Sequence, residues 1–312
     1  MLRDLKLLLL TGVVAFAAAA DARTMNGFDL SDALIPVRAI ESGGPPRDGI
    51  PAINQPKFVA ASEAVFLEDD DRVMGVEING QPKAYPISIL NWHELVNDSS
   101  GSQHFVVTYC PLCGTGMVFA SNAGDGALIF GVSGLLYNSD VLLFDRNTES
   151  LWSQIMKKAV SGPLRGESLP QLPAFHTTWA DWRARHPQTL VLSTDTGYSR
   201  DYSSSPYRGY EQSPRLFFRV ANRAPKDYHP KAWVMGLEID GEHKAYPFEE
   251  LQAQGLEQFE DVVNGTRVKV HWNQAASTAW VTDERGRVLP STMAFWFAWY
   301  AFFPETQVFK GG

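Results

Sequence analysis

The chain has 312 residues, 45% of them hydrophobic and 20% charged, with nine Trp, eighteen Phe and a formal net charge of −8. This globular composition supplies enough large side chains for a sizeable core, and the length allows one large domain or two small ones. With an acidic balance and no Lys/Arg-rich run, nucleic acid is excluded as a partner, because neutralising phosphates needs clustered cations.

The chain opens with "MLRDLKLLLLTGVVAFAAAADA". Arg3 and Lys6 precede an apolar run from Leu7 to Ala20, and Ala-Asp-Ala stands before Arg23. This pattern predicts a secretory signal peptide over 1–22, too short to span a bilayer comfortably. A retained anchor is the alternative. The mature protein is expected in the periplasm or secreted, with no stable membrane span, where thiols oxidise. Residues 23–56, rich in Pro and Gly, read as an irregular lead-in.

A repeat organises the rest. "RVMGVEINGQPKAYPISIL" (72–90) and "WVMGLEIDGEHKAYPFEEL" (233–251) share Val-Met-Gly, Glu-Ile, Gly and Lys-Ala-Tyr-Pro. Further on, "WADWRARHPQTLVL" (179–192) matches "WFAWYAFFPETQVF" (296–309) in Trp-x-x-Trp and Pro-x-Thr. The spacing falls from 161 (Met74 to Met235) to 117 (Pro187 to Pro304), so the second copy lacks 44 residues in its middle. Two ordered blocks indicate a duplicated unit. We assign repeat A to 57–197, a polar connector to 198–215 and repeat B to 216–312.

In chain order, Asn79-Gly80 and Asp240-Gly241 predict a type I′ hairpin at the start of each copy. "ISILNWHELVND" has helical spacing. "HFVVTYC", "GMVFA", "ALIFGVSG" and "VLLFDR" read as strands. "TTWADWRARHP" predicts a helix capped by Thr178 and ended by Pro187. "MAFWFAWYAFF" (293–303), too short for a membrane span, becomes by the repeat a core helix. The expected fold is α+β and β-rich, with two pseudo-repeated sheet or half-barrel units and short helices.

Both cysteines of the chain lie in "FVVTYCPLCGTGMVF" (105–119). A structural disulfide between Cys110 and Cys113 would close too small a loop to stabilise much. Thiol–disulfide exchange needs a first Cys at a helix N-terminus, and "GTGMVFA" is a poor helix start. A metal-binding knuckle fits better: Pro111 fixes the turn, Gly114 permits positive φ, and soft thiolates suit copper, zinc or iron. Repeat B reads "VHWNQAAST" near the matching position, without cysteine, and its helix lacks a counterpart of His93. His93 is therefore the expected third metal ligand, with His271 a lesser candidate for an inter-repeat site. Within the extra segment of repeat A, Asp140 and Arg146 are candidates to line or support the site. In the connector, Arg200, Asp201 and Tyr202 belong either to a solvated loop or to one that lines the site. No Ser-His-Asp order, phosphate loop or dinucleotide fingerprint appears.

The segments "GGPPRDGIPAI", "KAYP", "YCPLCGTGMVF", "LLYNSDVLLFDRNTESLWSQI", "LPAFHTTWADWRARHPQTLVLSTDTGYSRDY" and "HPKAWVMGLEIDGEHKAYPF" together resemble the prokaryotic family catalogued as domain of unknown function 3179. The resemblance implies exported or membrane-associated proteins with a Cys-Pro-x-Cys segment, and it implies no reaction. Cys110 and Cys113 match its Cys motif, and Arg200, Asp201 and Tyr202 its polar motif. The leading expectation is an exported protein that binds one transition-metal ion through Cys110, Cys113 and His93, for electron transfer or metal handling, with a redox or metal-donor protein as partner. A periplasmic thiol–disulfide oxidoreductase and a non-catalytic binding module with surface aromatics are the alternatives.

Overall fold

The computed structural model describes residues 24–123 and 126–311, so the expected signal peptide over 1–22 lies outside the described residues. Strands dominate. They form one eight-stranded, two five-stranded and one four-stranded sheet, besides two short ribbons. Among the described residues four α-helices span seven residues each: Ile87–His93, Trp179–Arg185, Phe248–Gln254 and Trp296–Phe302.

The two copies fold alike, for reasons readable in their motifs. Arg72–Ile78 pairs with Gln81–Pro86 across Asn79-Gly80, and Trp233–Ile239 with Glu242–Pro247 across Asp240-Gly241. All four turn residues have positive φ, as a type I′ turn requires. Each hairpin runs through its Pro into a helix. A later strand, Phe175–Thr178 or Thr292–Phe295, flanks the hairpin on one side. After a second helix, Leu190–Leu192 or Gln307–Val308 runs parallel to it on the other. Thr178 caps the Trp179–Arg185 helix by accepting from the Asp181 amide at 3.3 Å.

The repeated residues are packing devices. A Cβ added at Gly75 would stand 2.3 Å from the Trp182 ring, and one at Gly236 2.2 Å from Trp299. The indole N–H groups donate to Thr189 (2.9 Å) and Thr306 (3.0 Å), which accounts for the second Trp of Trp-x-x-Trp and the Thr of Pro-x-Thr. From Lys-Ala-Tyr-Pro, Lys83 and Tyr85 converge on Asp98 Oδ2 at 2.7 and 2.6 Å. Lys244 and Tyr246 do the same on Asp261 at 2.6 and 2.9 Å. The Lys83–Asp98 pair is almost buried, so removing one partner alone costs about 3–5 kcal/mol.

The copies also brace each other. In the eight-stranded sheet, repeat B's Thr292–Phe295 pairs with repeat A's Thr115–Ala120, which continues into Gln103–Cys110 and Leu95–Ser100. Repeat B's own strands Gln258–Val263, Thr266–Asn273 and Thr278–Thr282 form the four-stranded sheet with Val288–Leu289. The turn after Asn273 receives Arg72 of repeat A, whose guanidinium donates to the Ala276 and Ser277 carbonyls. Trp233, the residue at Arg72's place in repeat B, packs on Gly114 in the other turn.

The helix Trp296–Phe302 has Trp296, Phe297 and Trp299 buried, as the repeat implies, and no described helix is long and apolar enough to cross a membrane. The extra segment of repeat A forms the sheet Lys158–Ser161, Leu151–Ser153, Asp140–Asp145, Phe130–Tyr137. The lead-in, expected to be irregular, supplies its edge strand Ile40–Ser42. Residues of this sheet share one core cluster with both cysteines.

Candidate metal centre

Cys110 ends the strand Gln103–Cys110, and Thr115 opens the next, with Cys110 and Thr115 as the last ladder pair. Pro111 to Gly114 make the turn, closed by the Cys113 amide donating to the Cys110 carbonyl at 3.2 Å. Gly114 has φ +62, and a Cβ there would meet Trp233 at 2.8 Å and Phe295 at 3.0 Å. Glycine is required twice over, for conformation and for space. The Phe295 amide also donates to the Cys113 carbonyl at 2.8 Å. The cysteine turn is thus fixed from the opposite copy.

Asp140 arrives from the extra sheet. Tyr137 and Asp140 close a hairpin through Asn138 and Ser139, both at positive φ. That turn delivers the Ser139 carbonyl to both thiols, 3.2 Å from Cys113 Sγ and 3.8 Å from Cys110 Sγ. One ligand atom each from Cys110, Cys113 and Asp140 lies within 4.8 Å of the other two. Around a tetrahedral ion with bonds of 2.0–2.3 Å, donor atoms stand roughly 3.3–3.8 Å apart. The three side chains therefore need only a small contraction to share one ion.

The centre is dry. Cys110, Cys113 and Asp140 are 2%, 0% and 1% exposed, and both cysteines are free thiols. Burial pushes both thiols up, Cys113 strongly, and each feels the other and Asp140. Burial also raises the Asp140 carboxyl to about 8 against the pull of the Ile155 amide and the two thiols. Asp140 Oδ2 accepts from Ile155 N–H at 3.3 Å, and Oδ1 has no partner with hydrogen-bond geometry. Ser139 Oγ, Gln154 Oε1 and the Tyr210 hydroxyl are also buried without partners. Gln154 donates to Thr108 Oγ1 and the Thr115 carbonyl, so its free oxygen lies beside the cysteine hairpin. A group of donor atoms left unpaired in a dry interior costs free energy that a cation would recover.

Glu94 adjoins the triad. It is 6% exposed, its carboxyl is raised to about 8 by burial and then by Asp140, and Cys110 feels its charge. Its carbonyl accepts from the Tyr109 amide at 2.7 Å. It follows the helix Ile87–His93 with φ +58 and ψ −33, a conformation that costs a non-glycine residue about 1–3 kcal/mol. From the connector, Tyr207 and Tyr210 pack into the same cluster. Lys231, 2% exposed, donates to the Tyr210, Ser213 and Arg215 carbonyls and holds that strap in place.

The other candidates lie elsewhere. His93 is buried, but Nδ1 bonds to the Pro51 carbonyl and Nε2 to the Tyr202 hydroxyl, each at 2.7 Å. It is not in the triad, where Asp140 stands in the place expected for it. His271 stacks on Trp280 and bonds to Thr282. Arg146 forms a two-point ion pair with Asp48 near the surface. Arg200 lies over Trp92, while Asp201 binds Ser203 and Ser204 within its own loop. The polar motif of the connector thus locks the His93 helix, with Tyr202 as its contact. Asp140 was among the sequence candidates as a supporting group; Glu94 was not. Its signal was present, however. At the same helix-end position repeat B has Gly255, at φ +68, so Glu94 occupies a position suited to glycine. The register also places Asn273 and Ala276 where repeat A has Cys110 and Cys113, since Asn273↔Thr278 is the matching last pair.

No curated protein and no solved structure matches the chain. The profile described as "Protein of unknown function (DUF3179)" matches residues 47–288, a stretch that contains both hairpins, the cysteine turn and Asp140. By that match over most of its length, the chain belongs to the DUF3179 family.

Proposed function

We propose that this is an exported metal-binding protein whose ion is held by Cys110, Cys113 and Asp140 and serves electron transfer or metal handling. The observation that carries the reading is the convergence of two thiols and a carboxyl within 4.8 Å in a dry interior, with one carboxyl oxygen unpartnered. Two thiolates and one hard carboxylate suit zinc or iron(II) better than copper(I), which prefers an all-sulfur set. Thiol exchange fits poorly. It needs an acidic, reachable thiol, whereas both thiols are buried, raised and followed by a strand instead of a helix. A binding surface of aromatics also loses support, because five of the nine Trp are fully buried, together with Tyr85, Tyr246 and several Phe.

Elemental analysis of untagged protein decides the matter. About one equivalent of zinc or iron is expected, lost in a Cys110→Ser/Cys113→Ser variant. No metal as purified and none taken up after reduction would sink the reading.

A further inference from the structure

The duplication supplies an internal comparison for Glu94. In repeat B the helix Phe248–Gln254 ends on Gly255, and Leu256 and Glu257 follow before the strand Gln258–Val263. The Glu257 carbonyl there accepts from the Trp272 amide, and all three linking residues are exposed. Repeat A compresses this link into Glu94 alone, which both ends the helix and accepts from Tyr109. A residue under such constraint is best served by glycine. Repeat A instead keeps a carboxyl group there, buried and electrostatically coupled to Cys110 and Asp140.

We infer that Glu94 is the fourth side chain of the centre, closing on a divalent cation held by Cys110, Cys113 and Asp140. The inference rests on the metal reading above. Three observations support it. The residue is fixed by its backbone bond to Tyr109, next to Cys110, so its Cα cannot drift from the site. The hydrogen-bond partners of Cys110, Cys113 and Asp140 are the Ser139 carbonyl and the Ile155 amide, and neither is a cation. A buried site with three protein ligands leaves one tetrahedral position to fill, and Glu94 is a buried carboxyl whose backbone is bonded to the residue before Cys110. Its oxygens lie outside the 4.8 Å spread of the triad. The flexible side chain moves in as the ion arrives.

The test uses reduced, metal-free, full-length protein titrated with Co²⁺, read by the thiolate-to-cobalt charge-transfer absorbance, with thermal melts of the metal-free forms. Wild type, Glu94→Gln and Glu94→Gly are compared. Both variants should bind Co²⁺ more weakly by on the order of 10–100-fold or more. Metal-free Glu94→Gly should melt at or above the wild type, since glycine relieves the backbone at that position; a purely structural Glu94 would give the opposite. Should wild type bind and Glu94→Gln bind with the same affinity and spectrum, the assignment is overturned. Should wild type show no thiolate bands with Co²⁺, the metal reading falls and takes this one with it.

Discussion

Replacing Asp140 by Asn should stabilise the metal-free protein at neutral pH. In the folded chain burial raises this carboxyl from 3.8 to about 8. Between those values it is protonated when folded and ionised when unfolded. A raised folded value contributes stability that is full below pH 4 and is lost as pH rises toward 8. The slope is about 1.4 kcal/mol per pH unit, so from pH 5 to pH 7 the wild type loses about 2.7 kcal/mol through this group. Asp140→Asn keeps the shape and cannot ionise, so it avoids that loss. Histidines whose values are lowered by burial, His176 above all, change stability in the opposite sense over pH 5–6.5. They are common to both proteins and cancel in the difference, whereas Glu94 keeps its larger push from burial and loses the smaller one from Asp140 in the variant. Urea titrations of both metal-free proteins at pH 5, 6 and 7 should therefore diverge by about 2.7 kcal/mol, or roughly 5–10 °C in Tm for a chain of this size. Saturating Zn²⁺ should reverse the order, because only the wild type gains the binding term of about 4 kcal/mol at a thousandfold excess over Kd. Parallel stability curves from pH 5 to pH 7 would refute the reasoning, since they would mean that Asp140 is ionised in the fold.

Gly75→Ala and Gly236→Ala should each lose about 1–3 kcal/mol in urea unfolding, because both push a Cβ into a buried indole. Similar losses at the two sites would show that the copies pack alike. His93→Gln should lower stability by about 1 kcal/mol through its bonds to Pro51 and Tyr202 and leave cobalt affinity unchanged. Lys231→Met should leave the Tyr210, Ser213 and Arg215 carbonyls unpaired and speed tryptic cleavage at Arg200 and Arg208 in limited proteolysis. Arg146→Ala should change stability by less than about 1 kcal/mol, since its pair with Asp48 is partly exposed.

Much of the fold was legible because the duplicated motifs are local. Asn-Gly and Asp-Gly specify their turns, and Thr178 and Pro187 bound their helix. The repeat explained an apolar C-terminal stretch that hydropathy alone misreads. The centre was half legible. A Cys-x-x-Cys turn announces itself, but Asp140 reaches it from a separate sheet, and no spacing rule relates residues joined only by packing. The asymmetry between copies drew attention to this end of the helix. It pointed to His93, a good ligand type whose nitrogens are spent on Pro51 and Tyr202. The neighbouring Glu94 is the residue whose backbone conformation departs from what its side chain prefers, and backbone strain cannot be seen in composition.

On the proposed reading, the duplication also explains why one copy would carry the metal without the other becoming dispensable. Each hairpin turn rests on the residue that opens the other copy: Arg72 on Ala276 and Ser277, Trp233 on Gly114. The Phe295 amide, also from repeat B, fixes the Cys113 carbonyl. The extra sheet of repeat A then brings Asp140 to a turn that repeat B already holds still. Preorganisation of this kind would spare the proposed ion the cost of ordering its ligands. Trp233→Ala should therefore weaken metal binding although Trp233 offers no ligand atom, by freeing the turn at Gly114 and opening the dry core beside it. Arg72→Ala, acting on the copy without cysteines, should destabilise the fold through three lost carbonyl contacts and leave cobalt affinity in the folded protein unchanged. Equal losses of affinity in the two variants would mean that the copies do not divide scaffold from site in this way.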